Sequence, residues 1–281
     1  MRRVVVIGDV HANAVSLASA LLAIESYCEL HQVAIDKLIF VGDLLTYGVD
    51  ISTTIELICS ASNSYYTCFI LGNHDQLYLD LIRQDTSRYY CNLPDWIKES
   101  VDFTLSHMDH LFFTSIPFEQ SFSCSQIYFA HANSSFLASP HPNWSYINSY
   151  EEHDVEMSRL ACSNYSVGIF GHTHRRRLFH REQRDSAGYF VDLVSNSSLS
   201  LDVACGQSAV INVGSIGQPR SPQDLAPSLL LLEYTKSEQI DKLKVSFIPY
   251  HYDFHDHVKS VNDSTLSEST KAKLVSYFRS W

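Results

Sequence analysis

Five short polar clusters carry the residue types from which a metal site is made. They are Asp9-Val10-His11, Gly42-Asp43, Gly72-Asn73-His74-Asp75, His131 and His172-Thr173-His174. Carboxylate and imidazole together form a mixed O/N donor set. Such a set suits Mn²⁺, Fe or Zn²⁺ better than Ca²⁺ or Mg²⁺ alone. No cysteine falls in any cluster, which argues against a thiolate site. Each cluster alone is commonplace: an Asp after a Gly is often a turn or cap residue, and a His-x-His pair is often solvated. Jointly they supply most of the donors for two ions. A carboxylate can bridge such a pair, and two divalent ions about 3.5–4 Å apart turn a shared water into hydroxide near neutral pH and clamp phosphoryl oxygens.

These clusters need elements to position them, and the hydropathy pattern supplies them. Arg3 to Ile7, Lys37 to Val41 and Tyr66 to Leu71 read as buried strands, each ending in one cluster. Asn13 to Leu30, Ile51 to Ala61 and Asp75 to Arg83 read as the helices that follow. Repeated strand–helix units imply crossovers and a largely parallel sheet. Open sheets of this kind place ligands at the carboxyl ends of their strands. Pro94 to Phe113 reads as one or two helices, Gln126 to Ala130 and Val167 to Phe170 as strands, and Tyr150 to Cys162 as a helix. Beyond His174 the segments 178–180, 189–194, 199–204 and 209–213 alternate between Gly, Asn and Ser and read as antiparallel hairpins. Ser195 to Ser200 reads as a hairpin turn. Leu229 to Tyr234 and Lys244 to Tyr250 add strands, and Ser264 to Phe278 adds a closing amphipathic helix. With no internal repeat or linker, residues 1–281 are expected to form one domain.

The order D-x-H, G-D, G-N-H-D, H, G-H-x-H resembles that of the calcineurin-like metallophosphoesterases. Gly42-Asp43-Leu44-Leu45-Thr46-Tyr47-Gly48, Gly171-His172-Thr173-His174-Arg175 and Asn212-Val213-Gly214-Ser215-Ile216-Gly217-Gln218-Pro219-Arg220 look like the bacterial branch of predicted phosphodiesterases. The resemblance runs from residue 4 to about residue 252. It implies an α+β fold, a four-layer αββα sandwich of two mixed β-sheets flanked by helices. It also implies two divalent transition-metal ions, Mn²⁺ favoured. Asp9, His11 and His174 would hold one ion, Asn73, His131 and His172 the other, and Asp43 would bridge them. The implied reaction is hydrolysis of a small phosphate ester, most readily a diester, by metal-bridging hydroxide. His74, beside the ligand Asn73, would face the leaving group. Asp75 would either orient His74 or serve as a helix dipole partner.

The chain departs from the family pattern in places. Val213 stands for the usual Pro, and Ala132-Asn133 for Gly-Ser. Thr46-Tyr47 replaces the Asp-Arg of the protein phosphatases and symmetrical dinucleoside tetraphosphatases, and Asp75 replaces their Glu. A phosphomonoesterase is the alternative activity, and a binding scaffold of the same fold, like the retromer subunit, the non-catalytic one. Arg220 and Arg175 are candidates for substrate contact, whereas Arg176 and Arg177 read as a solvated turn. His251 to His257 looks like a second metal cluster but reads as a polar connection. Trp96 and Trp144 read as packing residues, with His141 and Trp144 also placed to line the substrate mouth.

Composition narrows the partners. The 281 residues carry 20 Lys+Arg against 31 Asp+Glu, a net charge of −11, which disfavours duplex nucleic acid and anionic membranes. Apolar runs are too short for a spanning helix or a signal peptide. The seven cysteines are scattered singly, a pattern expected of a reduced, cytoplasmic protein.

Overall fold

The structure is a computed structural model that describes residues 1–85, 88–192, 198–220, 227–235 and 239–279. Its elements begin with β1 (Arg2–Ile7), α1 (Ala14–His31), β2 (Lys37–Phe40), α2 (Ile51–Ser64), β3 (Thr67–Ile70) and α3 (Asn73–Ile82). The short α4 (Arg88–Cys91) precedes α5 (Asp95–His107) and α6 (His110–Ser115). Strands β4 (Phe118–Glu119), β5 (Ser121–Cys124) and β6 (Ile127–Ala130) follow, then α7 (Tyr150–Cys162). The later chain is mostly strand: β7 (Val167–Phe170), β8 (Arg176–Arg181), β9 (Tyr189–Phe190), β10 (Ser198–Asp202), β11 (Ser208–Val213), β12 (Ser228–Tyr234) and β13 (Lys242–Pro249). Helices α8 (Phe254–Asp263) and α9 (Glu268–Arg279) close it.

Two mixed sheets result, one ordered β10-β13-β12-β1-β2-β3-β4 and the other β5-β6-β7-β11-β8-β9. Strands β1 to β4 run parallel, as the repeated strand–helix units require, while β12 joins β1 antiparallel. Alternation along β1 explains the layering. Val5 and Ile7 face an apolar layer shared with α1, α2 and α5, whereas Val4 and Val6 face the second sheet. The second sheet turns Tyr128, Phe170 and Phe179 toward α7 on its far side. The sheets therefore stack face to face with helices on both outer surfaces.

Three readings of the later sequence are corrected. Strand β10 does not pair with its neighbours in a hairpin; it crosses to the first sheet and pairs with β13. Arg176 and Arg177 lie in β8, opposite Val213 and Asn212, and not in a turn. Residues 251–257 are not all connection: Asp253 caps α8 by accepting from His255 N, and α8 begins at Phe254. Of the Ser195–Ser200 turn, residues 195–197 lie outside the described residues, as do 193–194 of the expected 189–194 strand; Ser198 to Ser200 are in β10.

Candidate metal centre

All five clusters meet at one end of the two sheets. Asp9 follows β1, Asp43 follows β2, Asn73 opens α3 after β3, His131 follows β6, and His172 and His174 follow β7. The backbone must turn sharply there. His11, Asp43, His172 and His174 all have left-handed φ, between 48° and 65°, a conformation uncommon outside glycine and typical of functional sites. Gly42, at φ 100°, has no alternative, because a Cβ would lie 2.7 Å from both Gly72 N and His131 Nδ1.

Two groups of candidate donors result. Asp9, His11, Asp43 and His174 form one, Asp43, His131 and His172 the other, with donor atoms in each within 4.8 Å of one another. Asp43 belongs to both. Its Oδ2 lies 3.4 Å from His131 Nε2 and 3.9 Å from His11 Nε2. Asn73 joins the second group through Oδ1, 3.0 Å from His131 Nε2, while its Nδ2 donates to Tyr89 Oη at 3.0 Å.

Backbone carbonyls decide which imidazole nitrogen is left to bind. His11 Nδ1 meets Leu45 O at 3.1 Å, His131 Nδ1 meets Val41 O at 2.7 Å, and His174 Nδ1 meets Gln218 O at 2.8 Å. A carbonyl only accepts, so each Nδ1 carries a proton and each Nε2 is the nitrogen that faces the centre; in His11 and His174 that Nε2 keeps its lone pair. His172 is reversed, with Nε2 donating to Trp144 O at 2.9 Å, which frees Nδ1. His11 Nε2 and His174 Nε2 then face each other at 2.9 Å. Two lone pairs at that separation repel unless a cation lies between them.

The electrostatics agree. Burial pushes His11 and His172 down to about 3, and His174 well below its usual value, so all three are neutral donors. Burial raises Asp9 to about 7 against the pull of His131. Burial also lowers His131, yet Asp43 and Asp9 beside it carry it up to about 9. Burial raises Asp43 in turn, but His131 first, then His74 and His11, outweigh it and hold Asp43 well below the usual carboxylate range. The centre thus lacks positive charge and retains protons to make up for it. Divalent cations supply what is missing, so these residues fit the two-ion site.

Of the two roles expected of it, Asp75 takes that of partner to the α3 N-terminus, and it holds a second loop as well. Its carboxylate accepts from Asp43 N at 2.7 Å, Leu44 N at 3.1 Å and Gly72 N at 3.0 Å. It thereby fixes the loop of Asp43 rather than the ring of His74. His74 itself is buried, its N donating to Asp43 Oδ1 at 2.9 Å and its Nε2 lying 3.1 Å from Tyr47 Oη. Arg220 stands at the rim, its Nη2 donating to Gln218 Oε1 at 3.0 Å and its guanidinium 4.9 Å from the Tyr277 ring centroid. Its charge helps depress His11, His174 and His74. Arg175 is exposed next to His174. His141 is exposed too, while Trp144 lies edge-on to His131 at 5.8 Å. Trp96 packs beside Tyr47. The His255–Asp253 pair is exposed, and no donor group includes it among the described residues.

Several tyrosines at the centre escape sequence reasoning. Tyr47 is tilted against His11 at 4.6 Å, Tyr146 stacks on His172 at 4.3 Å, and Tyr89 holds Asn73. For Tyr47 alone there is a signal, its place in a loop where relatives carry Arg.

A buried carboxylate shared by two His-rich donor groups defines a dinuclear-type metal centre, the kind used to hydrolyse phosphoric esters. The calcineurin-like phosphoesterase family model matches residues 2–176. The chain belongs to that family and is a metal-dependent phosphoric ester hydrolase. Among solved structures it is similar to a metallophosphoesterase from Sphaerobacter thermophilus, at 19% identity and TM-score 0.65 over 98% of this chain and 99% of the other. A hypothetical protein from Pyrococcus horikoshii OT3 is similar at 18% identity and TM-score 0.70, over 98% of each chain. Both share the stacked sheets flanked by helices. No curated protein matches. No helix among the described residues is long and apolar enough to cross a membrane.

Proposed function

We propose that the protein is a phosphodiesterase of the bacterial predicted-phosphodiesterase branch, acting on a small phosphate diester. The observation that carries the metal chemistry is the single carboxylate, Asp43, common to both donor groups. Asp9, His11 and His174 would hold one ion and Asn73, His131 and His172 the other. When bound, such ions generate a hydroxide nucleophile and draw charge off the phosphoryl oxygens. The O/N donor set, free of thiolate, suits Mn²⁺, Fe or Zn²⁺, and the family resemblance favours Mn²⁺ among them. Strands from both halves of the chain enter the first sheet, which supports one domain over residues 1–281. The free cysteines support a cytoplasmic setting.

The diester preference rests on the family resemblance, and charge supports it. A monoester dianion presents two negative charges to the site, a diester only one. The loop after Asp43 offers Thr46-Tyr47 where the protein phosphatases and the symmetrical dinucleoside tetraphosphatases have a guanidinium, which sets the chain apart from both branches. Arg220 at the rim, with exposed Arg175 beside His174, remains to contact substrate oxygens. His74 assists the leaving group.

Metal-reconstituted protein assayed with bis-p-nitrophenyl phosphate and p-nitrophenyl phosphate tests the preference. Higher kcat/KM on the diester is expected, and higher kcat/KM on the monoester would establish the phosphatase alternative. His74→Asn should keep its metals and lose roughly 10²–10⁴-fold in rate on esters with poor leaving groups. The loss should shrink for p-nitrophenolate, which needs little stabilisation. Metal loss in this variant would instead make His74 a ligand.

A further inference from the structure

The loop after Asp43 is strained beyond the ligand itself. Thr46 and Tyr47 both adopt left-handed backbone, φ 78° and 67°, which β-branched and bulky side chains rarely do. Gly48 N donates to Thr46 O at 2.8 Å and to His11 O at 3.0 Å. The first of these bonds closes a three-residue turn around Tyr47, of the uncommon positive-φ kind. Neighbours hold the turn in place. Tyr47 N donates to Ser100 Oγ at 2.8 Å, and the Thr46 hydroxyl pairs with that of Tyr78. Strain so heavily supported has a local result: it brings the Tyr47 hydroxyl 3.1 Å from His74 Nε2.

The other side of the His74 ring completes the observation. Nδ1 is buried and has no hydrogen-bond partner among the described residues. A buried ring nitrogen left unpaired is costly, so the atom is kept for a group that arrives from outside.

We propose that Tyr47 is a positioning residue: its hydroxyl donates to His74 Nε2, so the ring carries its proton on Nδ1 and presents that N–H to the oxygen leaving phosphorus. This rests on the leaving-group reading of His74. His74 Nε2 is the one acceptor within reach of the Tyr47 O–H among the described contacts, and donating to it avoids a buried unsatisfied hydroxyl. An imidazole whose Nε2 accepts is protonated at Nδ1. A hydrogen bond from Nδ1 needs no second proton on the ring, so neutral His74 serves. The residue that replaces the relatives' Arg would then act on the leaving group's partner, not on the phosphate.

Tyr47→Phe isolates the hydroxyl, because Phe keeps the ring packed beside Val261, Leu266, Leu274 and Val275. The direct readout is the long-range ¹H–¹⁵N spectrum of metal-free, ¹⁵N-histidine protein, with His74 assigned by its loss in His74→Asn. The wild type should show the Nδ1–H tautomer, and Tyr47→Phe an averaged one. An Nε2–H tautomer in the wild type, or an unchanged spectrum in the variant, overturns the proposal. In metal-loaded protein, Tyr47→Phe should lower kcat on phenyl esters about tenfold, and less on p-nitrophenyl esters, with KM and metal content unchanged. It should cost nothing more in a His74→Asn background; an additive loss there would also overturn the proposal. Wild type that cleaves neither ester refutes the hydrolase reading, while the spectrum still decides the Tyr47–His74 contact.

Discussion

Asp43 is fixed from two directions by protein groups alone. Its Oδ1 accepts from His74 N, and its own N donates to Asp75, so Oδ2 is left facing both His11 and His131. Asp43→Asn replaces that shared anion by a neutral amide. We expect lower metal content by elemental analysis and lower turnover, with an unchanged far-ultraviolet spectrum; two metals and full rate would contradict the shared-ligand role. Asp75→Asn should act indirectly. An amide cannot accept from three N–H groups with two atoms, one of which is itself a donor. Leaving buried N–H groups unpaired costs about 1–3 kcal/mol, so the melting temperature should fall and metal affinity with it. Arg220 is a rim residue whose Nε is buried without a partner among the described residues. Arg220→Ala should raise KM with metal content unaltered; an unchanged KM would make it only a loop residue.

At the scale of elements, the centre depends on a loop that contributes no ligand. Residues 214–218 lie against the Asp9 loop: Ser215 Oγ donates to Asp9 O at 2.8 Å, and Asn13 Nδ2 donates to Gly217 O at 3.1 Å. A Cβ on Gly217 would sit 1.8 Å from Val10 O. Gly217→Ala must push the two loops apart, and overpacking of this sort costs about 1–3 kcal/mol or more. Reduced stability and reduced metal content together are the expected outcome, read by thermal melting and elemental analysis. The ligand-bearing strands were legible in sequence because each is a short apolar run cut off by a polar cluster. Long-range partners were not. The seat of β10 beside β13 is settled by which sheet edge is open, which no local pattern records. Helix α8 was hidden because its buried face includes His257 beside Val261, a polar residue where periodicity demands an apolar one. Tyr89 and Tyr146 meet the centre from loops and short helices, without the spacing that singles out a ligand.

At the scale of the molecule, a chain of net charge −11 encloses a centre short of positive charge. Asp9 at about 7 and His131 at about 9 hold protons in the metal-free protein that bound ions must displace. Protons compete with metal, so affinity should rise with pH through this range. Binding near pH 6 should release protons from both residues, and binding near pH 8 from His131 alone. Calorimetry in buffers of different ionisation enthalpy counts the protons; a release independent of pH would mean that the ions bind elsewhere.

The pairing of β1 with β12 has a consequence for how the enzyme is made. During synthesis Asp9 and His11 emerge before the β12 strand and the 214–218 loop that seat them, with 206 residues separating Asp9 from Ser215. All seven candidate ligands lie within residues 2–176, the span of the family match, but β11, β12 and β13 do not. A nascent chain therefore displays a full set of donors before it owns the frame that arranges them. Contacts between such distant segments form slowly, so metal loading should wait until β11, β12 and β13 have been made.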